Sequence, residues 1–441
     1  MITRRRFLEQ GSLLTSAVLA RNFLTNASAG SNSRAAAQNP PDTDPALLAR
    51  AKTLLQKAPL IDTHNDLPTM FLETNAGDLT TFNMNAEQPA LCADIPRLRA
   101  GCVGAQYWSI YVDSGTQRTH NALHEAIREF DVTQRFIASQ PQQLEQARTA
   151  DDIERIHQSG RIACLYGVEG GHMIENSPAA LRTFYQLGAR YMTLTHWDNI
   201  DWADAATDRP LHYGLTEFGE QVVKEMNRLG MFADISHVSA DTMRNTLRVT
   251  RAPVIFSHSN AFAIDPHPRC VPDDVLKMVP ANGGVVHVNF IREFISPKYP
   301  EWEEKRTAAL QDLHARLKTD QGIEQGIADW EKENASPRGT ISDVADHIDH
   351  IRKVASIDSI GIGADFYDVK PGSMVPGLED VTRYPYLFAE LLRRGYSDDD
   401  VMKIAGRNHL RSMRQMEKVS AELQKTEPPL IYRGSKNKIM G

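Results

Sequence analysis

The sequence lacks the short motifs on which several large classes of protein depend. Its four cysteines in 441 residues never form a C-x-x-C pair, which argues against a thioredoxin-like motif and a structural zinc knuckle. It contains no G-x-S-x-G, no P-loop and no complete G-x-G-x-x-G. Serine-hydrolase, nucleotide-binding and dinucleotide-binding chemistry therefore have no support.

Acidic residues outnumber basic ones, and long apolar runs are scarce. The chain has 49 lysines and arginines against 56 aspartates and glutamates, which gives a formal net charge of −7. An acidic protein without a basic stripe is a poor partner for nucleic acid. Beyond the N-terminal segment, no apolar run approaches the roughly 20 residues that cross a bilayer, so we expect no membrane anchor.

The N-terminus has the pattern of an export signal. Arg4-Arg5-Arg6 precedes an apolar stretch at residues 11–20, and Ala27-Ser28-Ala29 offers small residues for cleavage. This pattern predicts a twin-arginine signal peptide over residues 1–29 and a periplasmic or secreted protein. An amphipathic helix with a basic start is the alternative. Residues 30–43 are interpreted as a linker.

From about residue 44 onward, predicted strands alternate with predicted helices, which is typical of an α/β fold. The predicted strands are 59–64, 102–111, 162–168, 190–195, 231–236, 253–257, 284–290 and 358–364. Eight of them favour a (β/α)8 TIM-type barrel over residues 44–415, with a helical insertion from about 293 to 338 after strand seven. Residues 416–441 are interpreted as a C-terminal extension. The alternative is a doubly wound open sheet, which usually gathers its ligands at one switch point.

Five residues that can bind a metal stand at the ends of predicted strands: His64, Asp66, Glu169, His237 and His258. Catalytic residues of a β/α barrel lie at this edge. His64 and Asp66 are two residues apart and share a strand face. One carboxylate can bridge two ions, and imidazole is a common zinc ligand. Singly, each is more often a rim residue, a helix cap or a core histidine, but together they predict a metal site.

Other histidines are given no direct role in this site. His347 and His350 form no H-E-x-x-H and are assigned to an exposed helix. His287 is interpreted either as a core histidine or as one that orients a ligand. His172 is interpreted either as a residue that orients Glu169 or as a ligand.

Six segments in order resemble the motifs of the membrane (renal) dipeptidase family, peptidase family M19. They are Ile61-Asp62-Thr63-His64-Asn65-Asp66-Leu67-Pro68, Gly167-Val168-Glu169-Gly170-Gly171-His172, Leu194-Thr195-His196, Asp234-Ile235-Ser236-His237-Val238-Ser239, Phe256-Ser257-His258-Ser259 and Pro268-Arg269-Cys270-Val271-Pro272-Asp273-Asp274. The resemblance runs from about residue 58 to 411. It implies a zinc-dependent dipeptidase that hydrolyses small dipeptides, including those with a D-residue at the C-terminal position, and it suggests a homodimer.

The resemblance also implies two Zn²⁺ per chain. His64 and Asp66 would bind one ion, His237 and His258 would bind the other, and Glu169 would bridge both. A hydroxide shared by two zinc ions would then attack the amide carbon of the substrate.

Three further residues would face the substrate by the same resemblance. His196 would stabilise the oxyanion, Arg269 would bind the terminal carboxylate, and Asp365 would handle the substrate amine and proton transfer. These roles fit the chemistry, because a guanidinium can bind a carboxylate through two parallel hydrogen bonds. A surface arginine in a proline-rich loop is the alternative for Arg269.

The sequence departs from the family pattern at two places, and two other functions stay open. Cys270 follows Arg269 where asparagine is usual, and Asp365-Phe366-Tyr367-Asp368 replaces the usual Asp-Phe-Asp-Gly. The same metal site could serve a lactam, a lactone or a phosphoester as substrate. A non-catalytic periplasmic binding barrel is the remaining hypothesis.

Overall fold

The computed structural model describes residues 43–317, 319–337, 339–369 and 372–431. The predicted signal peptide and all of the predicted linker but residue 43 lie outside these ranges. Nine parallel strands are described. They are β1 (Leu60–Asn65), β2 (Val103–Tyr111), β3 (Leu144–Gln146), β4 (Ile162–Glu169), β5 (Ala189–Thr193), β6 (Phe232–Asp234), β7 (Ile255–Phe256), β8 (Val285–Val288) and β9 (Ile360–Ile362).

Eight of the strands form a closed barrel, which confirms the predicted fold class. The strand order is β2-β1-β9-β8-β7-β6-β5-β4, and β4 returns to pair with β2. That closing pair runs in continuous register from Ala105 opposite Ala163 to Tyr111 opposite Glu169. Because all strands are parallel, their C-terminal ends meet at one edge, where the ligand residues were expected.

The ninth strand, β3, was not predicted. It pairs only with the first residues of β4, from Leu144 opposite Ile162 to Gln146 opposite Cys164. Its three residues, Leu-Glu-Gln, carry no apolar pattern, so the pairing partner and not the local sequence makes them a strand.

The helices surround the barrel and fill most of the gaps between strands. They are α1 (Pro45–Lys57), α2 (Leu67–Asn75), α3 (Ile95–Ala100), α4 (Ala122–Ser139), α5 (Ala150–Gln158), α6 (Pro178–Leu187), α7 (Glu217–Leu229), α8 (Ala240–Val249), α9 (Asp273–Leu276), α10 (Val279–Asn282), α11 (Tyr299–Arg316), α12 (Asp320–Glu333), α13 (Ile341–Val354), α14 (Tyr384–Arg393), α15 (Asp398–Met402) and α16 (Asn408–Thr426). Two of them, α9 and α10, follow each other closely, and Pro280 stands in the first turn of the second.

The predicted insertion after the seventh barrel strand, β8, is helical as expected. Its two helices, α11 and α12, are held together by side-chain contacts. The Trp302 indole donates to the carbonyl of Asn334 at 2.8 Å, the rings of Trp302 and Trp330 lie 6.0 Å apart, and Arg306 pairs with Glu331 at 2.6 Å.

The last helix, α16, packs against the inside of the barrel. It runs without a break past position 415, where the barrel region was predicted to end. Its Met413 and Met416 are buried in one cluster with barrel residues such as Phe232. Its His409 joins a hydrogen-bonded row inside the barrel: Nε2 lies 2.9 Å from the Tyr107 hydroxyl, and Nδ1 lies 3.1 Å from Nε2 of His287. His287 is therefore a core histidine, the first of the two predicted roles.

His347 is buried, so the expectation that it lies on an exposed face is wrong. Its Nδ1 accepts the N–H of Ala261 at 3.0 Å, and its Nε2 lies 3.2 Å from the carbonyl of Ile295. It ties two loops at the C-terminal edge of the barrel to α13.

All four cysteines are free. Within the described residues, no helix is long and apolar enough to span a bilayer.

Candidate metal centre

One carboxylate oxygen, Oε1 of Glu169, forms the middle of a cluster of histidines at the C-terminal edge of the barrel. It lies 3.2 Å from Nε2 of His237, 3.4 Å from Nε2 of His64 and 3.4 Å from Nε2 of His258. The Nε2 atom of His196 is 3.8 Å away. All five residues are buried.

Two further carboxylates lie near His64. The Nε2 atom of His64 is 3.6 Å from Asp66 and 3.8 Å from Asp365. Three sets of potential ligands result, each with its ligand atoms within 4.8 Å of one another. The sets are His64 with Glu169 and His258, Glu169 with His196 and His237, and His64 with Asp66 and Asp365.

A hydroxyl group fixes the orientation of His64. The Tyr191 hydroxyl lies 2.8 Å from Nδ1 of His64 and donates to the carbonyl of Thr63 at 3.0 Å. Because its single proton is used there, Nδ1 of His64 must donate, and Nε2 is the nitrogen that can offer a lone pair to a metal. The Tyr191 ring fits only beside a glycine, since a Cβ on Gly167 would lie 1.8 Å from it.

A longer relay fixes His258 in the same way. Its Nδ1 lies 2.8 Å from the Ser257 hydroxyl, which donates to Asp234 at 2.6 Å. A carboxylate only accepts, so Ser257 donates to Asp234 and Nδ1 of His258 donates to Ser257. Nε2 of His258 is thereby left as a lone-pair donor, 2.9 Å from Nε2 of His237.

Two of the cluster residues have backbone conformations that are rare for residues other than glycine. His237 has a φ of 63° and Asp365 a φ of 67°, both in the left-handed region. Such conformations cost about 1–3 kcal/mol each and persist where the surrounding structure imposes them. Here each turns the chain at the end of its strand, where the cluster lies.

Burial controls the charge states in the cluster. It lowers the pKa of His196, His237 and His258 well below the ordinary imidazole value, and the positive charge of Arg269 adds to the effect. The three rings are therefore neutral near pH 7, the form that binds metal. Burial also raises the pKa of Asp365 to about 7, an effect that Asp66 and Glu169 reinforce while His64 opposes it.

Arg269 is a buried cation with free hydrogen-bond donors. It is 1% exposed, and its Nη2 donates to the carbonyl of His258 at 3.3 Å. Within the described residues, its Nε and Nη1 have no hydrogen-bond partner. The Phe294 ring lies 5.4 Å from the guanidinium carbon. A buried guanidinium with unused donors is suited to bind an anion at this site.

His196 is packed among aromatic rings. Its ring centroid is 5.0 Å from that of Tyr111, 5.5 Å from that of Trp197 and 4.4 Å from that of His237. Its Nδ1 has no hydrogen-bond partner within the described residues. Trp197 is 40% exposed, so this aromatic wall borders solvent.

The residues present fit a zinc site. Nitrogen and oxygen donors of histidine and carboxylate are common zinc ligands. Nε2 of His64 and Oδ1 of Asp66 are buried without a hydrogen-bond partner within the described residues. A buried polar group without a partner is costly, and a cation between the donors would remove that cost.

All eight residues predicted from the sequence lie in this cluster or border it. They are the predicted metal ligands His64, Asp66, Glu169, His237 and His258, and the predicted substrate residues His196, Arg269 and Asp365. The structure separates the predicted metal ligands from the predicted substrate residues less sharply. Ligand atoms of His196 and Glu169 lie within 4.8 Å of each other, and so do those of Asp365 and His64.

The residues that orient the ligands were missed. Tyr191, Ser257 and Asp234 were given no role, although polar side chains inside apolar strands were a signal that could have found them. His172 belongs to none of the three ligand sets. Its Nε2 lies 2.9 Å from the carbonyl of Val112.

A parallel barrel with buried histidines and carboxylates at the C-terminal edge defines a metal-dependent hydrolase. A sequence profile described as "Membrane dipeptidase (Peptidase family M19)" matches residues 48–427. The chain belongs to this family of metallopeptidases and is a dipeptidase. Family membership favours this activity over the lactam, lactone, phosphoester and binding-protein hypotheses.

Two relatives are similar over most of their length. The chain is 36% identical over 395 residues to the dipeptidase verJ of Clonostachys rogersoniana, which covers 87% of this chain and 91% of that one. It is 38% identical over 385 residues to dipeptidase 3 of Rattus norvegicus, which covers 86% of this chain and 69% of that one.

A solved structure has the same fold at low sequence identity. It is a metallo peptidase from Rhodobacter sphaeroides, liganded with a phosphinate mimic of the dipeptide L-Ala-D-Ala. The TM-score is 0.67 at 22% identity, and the match covers 81% of this chain and 99% of that one.

The Ser257 relay generates the first prediction. Replacing Ser257 by alanine removes the acceptor of His258 Nδ1, so the ring loses its fixed orientation and the affinity for Zn²⁺ should fall about tenfold or more. Titration against a chelating dye measures this affinity. Ser259→Ala is the matched control, because Ser259 is equally buried beside His258 but bonds only the Ser236 hydroxyl among side chains. Equal zinc affinities of the two variants would contradict the relay.

Proposed function

We propose that the chain is a binuclear zinc dipeptidase with two Zn²⁺ at the cluster around Glu169. His64 and Asp66 would hold one ion, His237 and His258 the other, and Glu169 both. Bound zinc would lower the pKa of a water toward neutrality and polarise the substrate carbonyl. The observation that carries the proposal is Oε1 of Glu169, which lies within 3.4 Å of Nε2 of His64, His237 and His258.

The substrate side of the site has a charged group for each end of a dipeptide. Arg269 offers unused guanidinium donors for the C-terminal carboxylate. Asp365 offers a carboxyl group for the N-terminal amine, and its pKa of about 7 lets it hold or release a proton near neutral pH. His196 is placed to donate a hydrogen bond to the oxyanion as the amide carbon becomes tetrahedral.

We also propose that dipeptides with a D-residue at the C-terminal position are substrates, beside L,L-dipeptides. The support is the relative of similar fold, which binds a mimic of L-Ala-D-Ala. A guanidinium anchor holds the carboxylate and leaves the configuration at the neighbouring carbon to the space around it.

The anchoring role of Arg269 generates the second prediction. Arg269→Ala should lower kcat/KM for a dipeptide such as Ala-Ala about 100-fold or more, because two hydrogen bonds to a charged group are lost. Steady-state kinetics measures the loss. The control is the substrate amide, which lacks the carboxylate and should be hydrolysed equally by both proteins. A similar loss on the amide would refute the anchor.

The third prediction concerns the number of zinc ions. Elemental analysis of the purified protein should find about two zinc ions per chain, and about one in His237→Ala, because one ligand set loses an imidazole. His172→Ala is the matched control and should keep two ions, since His172 is outside the three ligand sets. The same zinc content in both variants would refute this assignment.

The fourth prediction concerns the route of export. We propose a periplasmic or secreted location reached by the twin-arginine pathway. Replacing Arg4 and Arg5 by lysine should leave the precursor in the cytoplasm, whereas Arg6→Lys should not affect export. Cell fractionation followed by immunoblotting distinguishes the two, and export of the double variant would rule out this route.

The homodimer suggested by the family also stays a prediction. Light scattering of the purified protein measures its mass in solution, and a monomer would contradict it.

A further inference from the structure

A carboxylate that the proposed reaction does not use lies beside the anchoring arginine. Glu293 follows β8, and its side chain is 43% exposed. Its Oε1 lies 4.0 Å from Nε2 of His267. The Nδ1 atom of His267 in turn accepts the backbone N–H of Arg269 at 3.2 Å. Glu293 therefore faces the loop that presents the guanidinium to the substrate.

The two loops that carry Glu293 and Arg269 are held together by buried contacts. The side-chain amide of Asn260 donates to the carbonyl of Phe294 at 3.0 Å, and His347 bridges Ala261 and Ile295. These residues are fully or nearly fully buried. The fold therefore holds the backbone of the loop that carries Glu293 next to the loop that carries Arg269.

Within the described residues, His267 carries the only basic nitrogen within 4.0 Å of this carboxylate. Burial lowers the pKa of His267 to about 4, so the ring is neutral near pH 7. The neighbouring Arg292 guanidinium lies over the rings of Tyr299 and Trp302, at 5.4 and 6.0 Å from their centroids. In the part of the chain that the structure describes, Glu293 thus has no lysine or arginine within ion-pair distance.

Two further acidic residues, Asp265 and Glu303, lie among the charges that act on Glu293. Asp265 belongs to the loop of His267 and Arg269 and is fully buried. Within the described residues, neither of its carboxylate oxygens has a hydrogen-bond partner. Burial raises the pKa of Glu293, and repulsion by the negative charges of Glu303 and Asp265 adds to this effect, while Arg269 and Arg292 oppose it. A positively charged group beside Glu293 would relieve that repulsion.

We propose that Glu293 is a specificity-determining residue that selects dipeptides whose C-terminal residue has a positively charged side chain. The inference rests on the proposed function, in which Arg269 binds the C-terminal carboxylate. The side chain of that same residue leaves from the carbon next to the carboxylate, so it starts beside Arg269. A lysine or arginine side chain is long enough to bring its cation to the mouth of the site, where Glu293 lies.

Two dipeptides of equal length test the inference. L-Ala-L-Lys and L-Ala-L-norleucine differ only in the terminal ammonium group, so their ratio of kcat/KM measures the selection for charge. We expect the zinc-loaded protein to favour Ala-Lys about five- to tenfold, the range for a partly exposed ion pair beside a desolvated site. Higher ionic strength should reduce the ratio, because salt screens such a pair.

Three variants separate the charge of Glu293 from its structural effect. Glu293→Gln keeps the shape and should bring the ratio to about one, with the rate on Ala-norleucine unchanged. Glu293→Lys should reverse the preference toward L-Ala-L-Glu. Glu301→Gln is the matched control and should keep the ratio, because Glu301 lies on α11, where it pairs with Lys305 at 2.8 Å.

Equal rates on Ala-Lys and Ala-norleucine by the wild-type protein would overturn this inference and leave the proposed function intact. An unchanged ratio in Glu293→Gln, or an equal loss on both dipeptides in that variant, would overturn it as well. If neither dipeptide is hydrolysed at all, the proposed function fails and the inference falls with it.

Discussion

The candidate site at the C-terminal edge of the barrel depends on one electrostatic constraint. Several lone-pair donors converge there on a buried point. Oε1 of Glu169 has three imidazole nitrogens within 3.4 Å, and two of these nitrogens, on His237 and His258, are 2.9 Å apart. Lone pairs that face one another repel, and burial removes the water that would separate them. A cation satisfies all of them at once. The relays through Tyr191 and Ser257, and the left-handed conformations of His237 and Asp365, all serve this convergence.

The barrel interior divides by polarity along its axis. Near the catalytic edge, hydroxyl groups and Asp234 orient the ligands. Further inside, Tyr107, His409 and His287 form a row of neutral hydrogen bonds. Burial lowers the pKa of both histidines of this row. Apolar residues of α16 then fill the remaining interior. The carboxylates of the candidate site thus lie at the end where a metal and a substrate can compensate their charge.

The sequence predicted the barrel and the residues that cluster around Glu169, because both leave local signals. An apolar run that ends in His64, Glu169 or His258 can be recognised without knowledge of its neighbours. The strand β3 leaves no such signal, since its three residues become a strand only by pairing with β4. His347 was misjudged for a similar reason: helical spacing gives a face but not what covers it, and here that face meets the loops of Ala261 and Ile295.

The sequence by itself determined the fold class and the family, and it indicated eight candidate site residues that the fold brings together, because the order and chemistry of the short segments that carry them are specific. Only the tertiary structure decided which atoms point at one another. It showed that Tyr191 and Asp234 control the free nitrogens of His64 and His258, and that Glu293 lies beside the loop of Arg269. These contacts join residues between 20 and 130 positions apart. Their geometry follows from barrel closure and loop packing, which no local pattern records.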